Sequence, residues 1–500
     1  MQTSKPASGS TRFMLTLASL ATAPVGLLLW ALRLRRPDPW RRTLGLGLRS
    51  QGCQFALGTF GLDPFEGEDL PTDRAEVEAA LAEKLSTFLR DEADLRFALQ
   101  HYGAVVKRVK KSVVDVAVVR YGANDELTSM ETRLDPSRNL LLPGSEQAAA
   151  ERTIIESYNL TRHFSEIGRV QELKRLVFQG VRGSGIARTA YCRRILGSVC
   201  VAFLPGSGEE RFSPPDFHRW RIPGSGFLQV FCRWQAVEKR VDVWLHVHHT
   251  GADGGSMQEL LDRLEKAWPV TTPAFPKALA EDTAPRVACA AATAGERQIH
   301  LASAFLDFRP LLALRKRLAA TGDMPVVALL LWLMERQPEF AGRKFAVAVE
   351  VPDNGEFPRA VDLIGIAPGA FREKGLPTYA AEFQRLVAGA RSRRGVTFRA
   401  MRGLALLPAG LAGRVMRANP ALAEKTFGTM GVSMLRTAKV FVAPMADGGF
   451  DDGFIAIGGL HLPGEAGTPV GSITIKGDAE KVARYPVAIQ RAINEAANFG

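Results

Sequence analysis

Of the eight histidines in this 500-residue chain, three fall at positions 246, 248 and 249. They close the run Val241-Asp242-Val243-Trp244-Leu245-His246-Val247 and lead into Thr250-Gly251-Ala252-Asp253-Gly254-Gly255. An imidazole can take a proton from a hydroxyl, an amine or a thiol and return it later in the cycle. A carboxylate four residues from His249 can fix the turn by pairing with a backbone donor or an arginine. A carboxylate that orients a general base contributes through geometry rather than by accepting the proton. The glycines let a substrate approach the backbone closely. A solvated histidine pair on a polar turn is the plain alternative, but this spacing favours chemistry at His248, His249, Asp253 and Gly254.

The elements on either side must hold that turn. Residues 241, 243, 245 and 247 are apolar, the period-2 signature of a half-buried strand, with Asp242, Trp244 and His246 on its other face. Downstream, Ser256 and Glu259 have the spacing of a capping box. Met257, Leu260, Leu261 and Leu264 then follow helical spacing. The histidines are therefore expected on a strand-to-helix turn.

His248-His249-Thr250-Gly251-Ala252-Asp253-Gly254 resembles the HHxxxDG motif of the chloramphenicol acetyltransferase-like acyltransferases. That superfamily includes 2-oxo-acid dehydrogenase acyltransferases, condensation domains, wax-ester synthases and plant acyltransferases. The resemblance implies that His249 is a general base and that Asp253 is mainly structural. It implies an α/β fold of two lobes, each a mixed sheet packed with helices, forming a pseudo-dimer. It also implies an acyl thioester of coenzyme A or of an acyl carrier protein as co-substrate, with no bound cofactor.

Composition is that of a folded globular protein, 46% apolar and 23% charged. The five cysteines form no CxxC pair, which argues against a disulfide framework and for a reducing compartment. The formal charge of +12 is scattered, with clusters at 33–42, 107–111, 188–194 and 391–394. Anionic lipid, coenzyme A phosphates or an acidic carrier protein would match such clusters. No nucleic-acid reader motif accompanies them, so nucleic acid is not an expected partner.

Along the chain, residues 1–12 read as a disordered tail. Phe13–Leu32 is uncharged for 20 residues, long enough to cross a bilayer as a helix, and five arginines follow by position 42. With its basic flank, 13–36 is expected to be a membrane helix that leaves the catalytic part cytoplasmic. Pro24 and Gly26 keep a buried or interfacial helix open. Residues 37–74 read as a connecting segment, 75–268 as the lobe bearing HHxxxDG, the proline-rich 269–286 as a linker and 287–500 as a second lobe. Within the first lobe, Asp73–His101 reads as helical, Val113–Tyr121 as a strand, 122–147 as a polar connection, Ala148–Val177 as mostly helical and 183–247 as short strands.

The second lobe ends much as the first does, in strand Gly471–Ile475, turn Lys476-Gly477-Asp478 and helix Ala479–Ala496, but without a histidine. Its segments Phe427–Ser433 and Phe454–Gly459 resemble the core of the 2-oxo-acid dehydrogenase acyltransferases. That likeness puts Thr429, Ser433 and Thr426 across the interface as candidates to face an oxyanion, which needs a positioned donor. No GxSxG elbow, P-loop or GxGxxG run is present. Adjacent histidines point in different directions and no fourth ligand is evident, so no metal site is expected. Two other readings remain open: a catalytically silent relative that binds a lipid or partner protein, and a metal-dependent hydrolase.

Overall fold

The computed structural model describes residues 54–67, 73–102, 105–134, 143–164, 166–181, 185–205, 220, 222, 226–248, 252, 254–270, 286–290, 299–318, 324–351, 360–392, 428–435, 440–442, 452–459 and 470–499, with positions 17, 20, 21, 24, 25 and 28 of the N-terminal stretch. The first half of the chain comprises β1 (Gln54–Leu62), α1 (Arg74–Asp91), the hairpin β2 (Phe97–Tyr102) and β3 (Val105–Lys110), then β4 (Val116–Tyr121) and β5 (Leu127–Arg133). Helices α2 (Gly144–Thr161), α3 (Glu166–Val181) and α4 (Gly185–Leu196) follow, then β6 (Val199–Phe203), β7 (Leu228–Gln235), β8 (Arg240–His248) and α5 (Gly254–Ala267). The second half begins with β9 (Arg286–Ala290), β10 (Ile299–Asp307), α6 (Arg309–Leu318), α7 (Val326–Met334), β11 (Phe345–Val351), β12 (Ala360–Ile366) and α8 (Gly375–Arg391). It ends in β13 (Met430–Leu435), β14 (Val440–Val442), β15 (Gly453–Gly458), β16 (Val470–Gly477) and α9 (Ala479–Glu495).

Among the described residues β2 and β3 form a two-stranded sheet, and the other fourteen strands form two seven-stranded sheets, in the orders β14-β1-β8-β7-β6-β4-β5 and β9-β10-β16-β15-β13-β11-β12. Written in that direction, the two sheets match strand for strand. The pairs β14·β1, β1·β8, β7·β8 and β4·β5 are antiparallel, while β6·β7 and β4·β6 are parallel. The second sheet repeats the same senses in the same places. Each parallel pair requires a crossover; among the described residues α2, α3 and α4 lie between β4 and β6, and α8 lies between β11 and β13. The fold is α/β with two copies of one mixed-sheet lobe in a single chain, as the sequence leads one to expect.

The copies are not closed units. β14 is contributed by the second half but pairs with β1 of the first sheet, Phe441 opposite Leu57. β1 itself lies in the segment read from sequence as a connection; it is instead the neighbour of β8. Its glycines at 58 and 61 break the apolar pattern, and β1 is recognisable as a strand only once both of its faces are seen to be covered.

Burial on both faces also corrects the half-buried reading of β8. One face sends Val241, Val243, Leu245 and Val247 into a core with α1 and α5. The other buries Trp244 beneath α2, α3 and α4. Asp242 and His246 lie on that second face at 0% and 3% exposure. In the second lobe, α6 to α9 cover one face of the sheet. Helix α7 is apolar all round and correspondingly enclosed, at nine residues far short of a membrane span.

Other boundaries shift. The helix beginning after Asp73 stops at Asp91, and Phe97–Tyr102 forms a strand paired with β3. The polar connection 122–147 contains β5, and the strand-rich reading of 183–247 misses α4. Among the described residues no helix is long and apolar enough to cross a membrane. Most of Phe13–Leu32 lies outside them; its described positions are helical and exposed.

Candidate active site

The motif turn joins the last residue of β8, His248, to the first residue of α5, Gly254. His249 and Asp253 lie in the turn, outside the described residues, as does Thr426. The strand side is well fixed. β8 is hydrogen-bonded on both sides, with His248 opposite Gln54 of β1 and Val247 opposite Leu228 of β7. The helix side begins two residues earlier than the sequence suggests. Ser256 is therefore inside α5 and buried, not its N-cap, and the position before Gly254 belongs to Asp253. Met257, Leu260, Leu261 and Leu264 are all buried against the first sheet, as expected. Each such side chain contributes roughly 1.5–3 kcal/mol to holding the helix against it.

The second lobe reaches this turn. A Cβ on Gly254 would stand 2.6 Å from Leu435 Cδ1, at the end of β13. Ala252, within the motif, is buried in the same cluster that takes in Ala456 of β15 and packs against Leu435 and Phe454. A side chain at 254 would press on the Leu435 methyls, so glycine suits the close approach of the lobes here.

Position along β13 sorts the proposed oxyanion donors. Met430 and Val432 point into the second lobe's own core. Ser433 and Leu435 therefore share the opposite face, the one Leu435 presents to the first lobe. Ser433 lies opposite Ala456 of β15, which belongs to the first lobe's cluster. Beside it, Ala456 pairs with Thr474, and Thr474 Oγ1 is 3.2 Å from Ser303 Oγ. Sequence reasoning did not single out Ser303 or Thr474; the alternation of Ser472, Thr474 and Lys476 with Ile473 and Ile475 in β16 is the signal that marks their face.

Thr429 stands elsewhere. It precedes β13, where its N–H donates to the Lys344 carbonyl at 3.1 Å and its carbonyl accepts from the Asp452 N–H at 3.0 Å. At about 3.3 Å per residue it is roughly 20 Å along the strand from Leu435. Its backbone bonds serve the start of the second sheet.

At the far end of β8, Asp242 accepts from the Gly61 N–H at 3.2 Å and from Gln235 Nε2 at 3.0 Å, with Arg240 Nε 3.9 Å away. Burial raises its pKa, against the lowering effect of these partners. His246 packs edge-on to Phe231, centroids 6.0 Å apart. Both residues belong to the buried body of the lobe. Among the described residues no group of histidine, cysteine, aspartate or glutamate side chains is placed to hold a metal.

In the second lobe the corresponding strand-to-helix step is a single residue. Asp478 follows β16 directly and caps α9, accepting from the Lys481 N–H at 2.8 Å. The first lobe has five residues in that place, 249–253, and the histidine is among them.

No protein-family model matches the sequence, and no curated protein matches it. Among solved structures the chain is similar to the wax ester synthase/diacylglycerol acyltransferase of Marinobacter aquaeolei VT8, at 11% identity over 92% of this chain and 99% of that one, with a TM-score of 0.44. It is similar to F. graminearum TRI101, solved with coenzyme A and deoxynivalenol, at 12% identity over 89% and 95% of the two chains, TM-score 0.42. It is also similar to the starter condensation domain of rhizomide synthetase RzmA, at 11% identity over 100% and 94%, TM-score 0.40. At these scores the likenesses describe similarity alone, and the functional reading rests on the motif turn and the lobe junction of this chain.

Proposed function

We propose that the protein is an acyltransferase that moves an acyl group from a coenzyme A or carrier-protein thioester to a hydroxyl or amine acceptor. The observation that carries this reading is the contact of Gly254 with Leu435, which brings the HHxxxDG turn of one lobe against β13 of the other. His249 Nε2 takes the acceptor's proton as its oxygen or nitrogen attacks the thioester carbonyl. The tetrahedral oxyanion is stabilised by a donor from the facing strand, for which Ser433 is the best-placed candidate. Collapse expels the thiolate, and the imidazolium returns the proton to give free thiol. Asp253, the residue before α5 in sequence, is assigned a positioning role in shaping the turn and not a share in the proton transfer.

A lipid-like acceptor and a membrane-associated enzyme with its catalytic part in the cytoplasm complete the proposal. The uncharged run Phe13–Leu32, the arginines behind it and the net charge of +12 support both. The test is thiol release from a panel of acyl-coenzyme A and acyl-carrier thioesters with alcohol and amine acceptors. Release that rises with added acceptor, together with the matching ester or amide by mass spectrometry, is the expected result. Thioester loss that yields only free acid, whatever the acceptor, would contradict it.

A further inference from the structure

Helices α3 and α4, on the face of the first sheet opposite α5, line between them an open pocket of about 300 Å³. Its floor is apolar: Val177, Cys192 and Leu196 are all buried in the core beneath. Phe178 forms a wall, 37% exposed, with the Arg193 guanidinium 4.9 Å over its ring. Lys174 joins Arg193 in the lining, and no carboxylate does. Among the described residues neither cation has a carboxylate within ion-pair distance.

We infer that this pocket is a second binding site, for a short single-chain acyl carboxylate, with the chain on the Val177–Leu196 floor and the carboxylate between Lys174 and Arg193. Apolar lining of this kind takes methylenes out of water, and two cations without a competing acid favour an anionic head such as a carboxylate. The volume is at the lower end of small-ligand pockets, which run about 300–1,000 Å³, and so suits a short chain. Cys192 does not oppose an anion: burial pushes its thiol up to about 11, so it remains neutral and acts as part of the apolar floor. Desolvation lowers the pKa of Lys174, and an anionic head beside its ammonium offsets that effect. The site stands on its own residues and does not depend on acyl transfer at His249.

Calorimetric titration of the full chain with decanoate tests this. Saturable one-to-one binding is expected, weakened by about tenfold or more in the Lys174→Met/Arg193→Met double variant, as loss of charge-assisted hydrogen bonds implies. Decanol, with the same chain and no charge, should bind at least about tenfold more weakly than decanoate. His249→Ala should bind decanoate as the wild type does, which separates this site from the motif turn. A photoreactive decanoate analogue should label peptides within residues 166–197, and Leu196→Trp, which fills the floor, should abolish labelling. Absence of saturable binding, equal affinity in the double variant, equal affinity for decanol, or labelling confined to other peptides would each overturn the inference.

Discussion

At the residue scale, Ser433 and Thr429 are separable although both were read from the same segment. Ser433 shares its face of β13 with Leu435, whereas the Thr429 backbone is tied to Lys344 and Asp452 at the other end of the strand. Ser433→Ala is expected to lower kcat by roughly 10²–10³-fold, the usual effect of losing one oxyanion donor, with little change in KM. Thr429→Ala should leave kcat within about twofold, since oxyanion stabilisation requires direct reach. Steady-state kinetics on both variants checks this, and equal effects would remove Ser433 from its role. The motif itself was legible because histidine, aspartate and glycine at that spacing have few other uses between a strand and a helix. The choice between the two hydroxyls was not legible, because it depends on which end of β13 meets the other lobe.

At the element scale, the tight step from β8 into α5 depends on a missing side chain. Gly254→Ala sets a methyl against Leu435 and is expected to destabilise the protein by about 1–3 kcal/mol, as overpacking does. Leu435→Ala in the same chain should restore part of that loss, a non-additivity that thermal or urea unfolding of the double-mutant cycle will read. Additive losses would mean that the two residues are not in contact. A second prediction concerns the start of α6, where Asp307 accepts from the Arg309 N–H at 3.0 Å and from Arg309 Nε at 2.9 Å. Partial burial raises the Asp307 pKa, but the Arg309 hydrogen bonds and charge outweigh it, and the net shift is downward. Its stabilisation is therefore present above the ordinary carboxylate pKa of 3.8 and is lost as pH falls through the lower folded value. Asp307→Asn should cost a few tenths to about 1 kcal/mol at pH 7, where solvent around the exposed Arg309 screens the pair, and progressively less in acid. A difference that grows as pH falls would contradict the assignment.

Long, strongly patterned elements such as α5 and α9 could be read from the chain itself. The misses share a physical cause. β5 has only Leu127 and Met130 buried, too few to stand out as a strand before β4 is there to pair with it. Helix α4 buries Tyr191, Cys192, Ile195 and Leu196, which does follow helical spacing, but its arginines and flanking glycines hide that spacing among neighbouring short strands. β2 follows α1 after a short irregular step, and helical periodicity alone does not mark where that helix stops.

At the scale of the whole molecule, the two matched sheets explain both the resemblance of the chain's two ends and their difference. The same strand-to-helix step is one residue in the second lobe and five in the first. β14 ties the lobes by lending the first sheet its edge, in a register that places Val440, Phe441 and Val442 opposite Gly58, Leu57 and Ala56. Phe441→Pro fixes φ and deletes a backbone N–H within this three-residue edge pairing, and is expected to weaken it. If the lobe junction forms the site, activity should fall by far more than the folded fraction does, and limited proteolysis should begin near residue 440 while both lobe cores persist. Full activity in a variant with a loosened β14 would separate the strand from function. This exchange of a strand could not be read from the sequence, because Val-Phe-Val carries no mark of which sheet it joins.

The claim on which the rest depends is that His249 removes the acceptor's proton at the lobe junction. The direct measurement is acceptor-dependent thiol release by His249→Ala beside the wild type, with matched circular dichroism and thermal unfolding to show that both are folded. Turnover lost by at least about 10³-fold in a folded variant is the expected result. Wild-type turnover in the folded variant would contradict the mechanism.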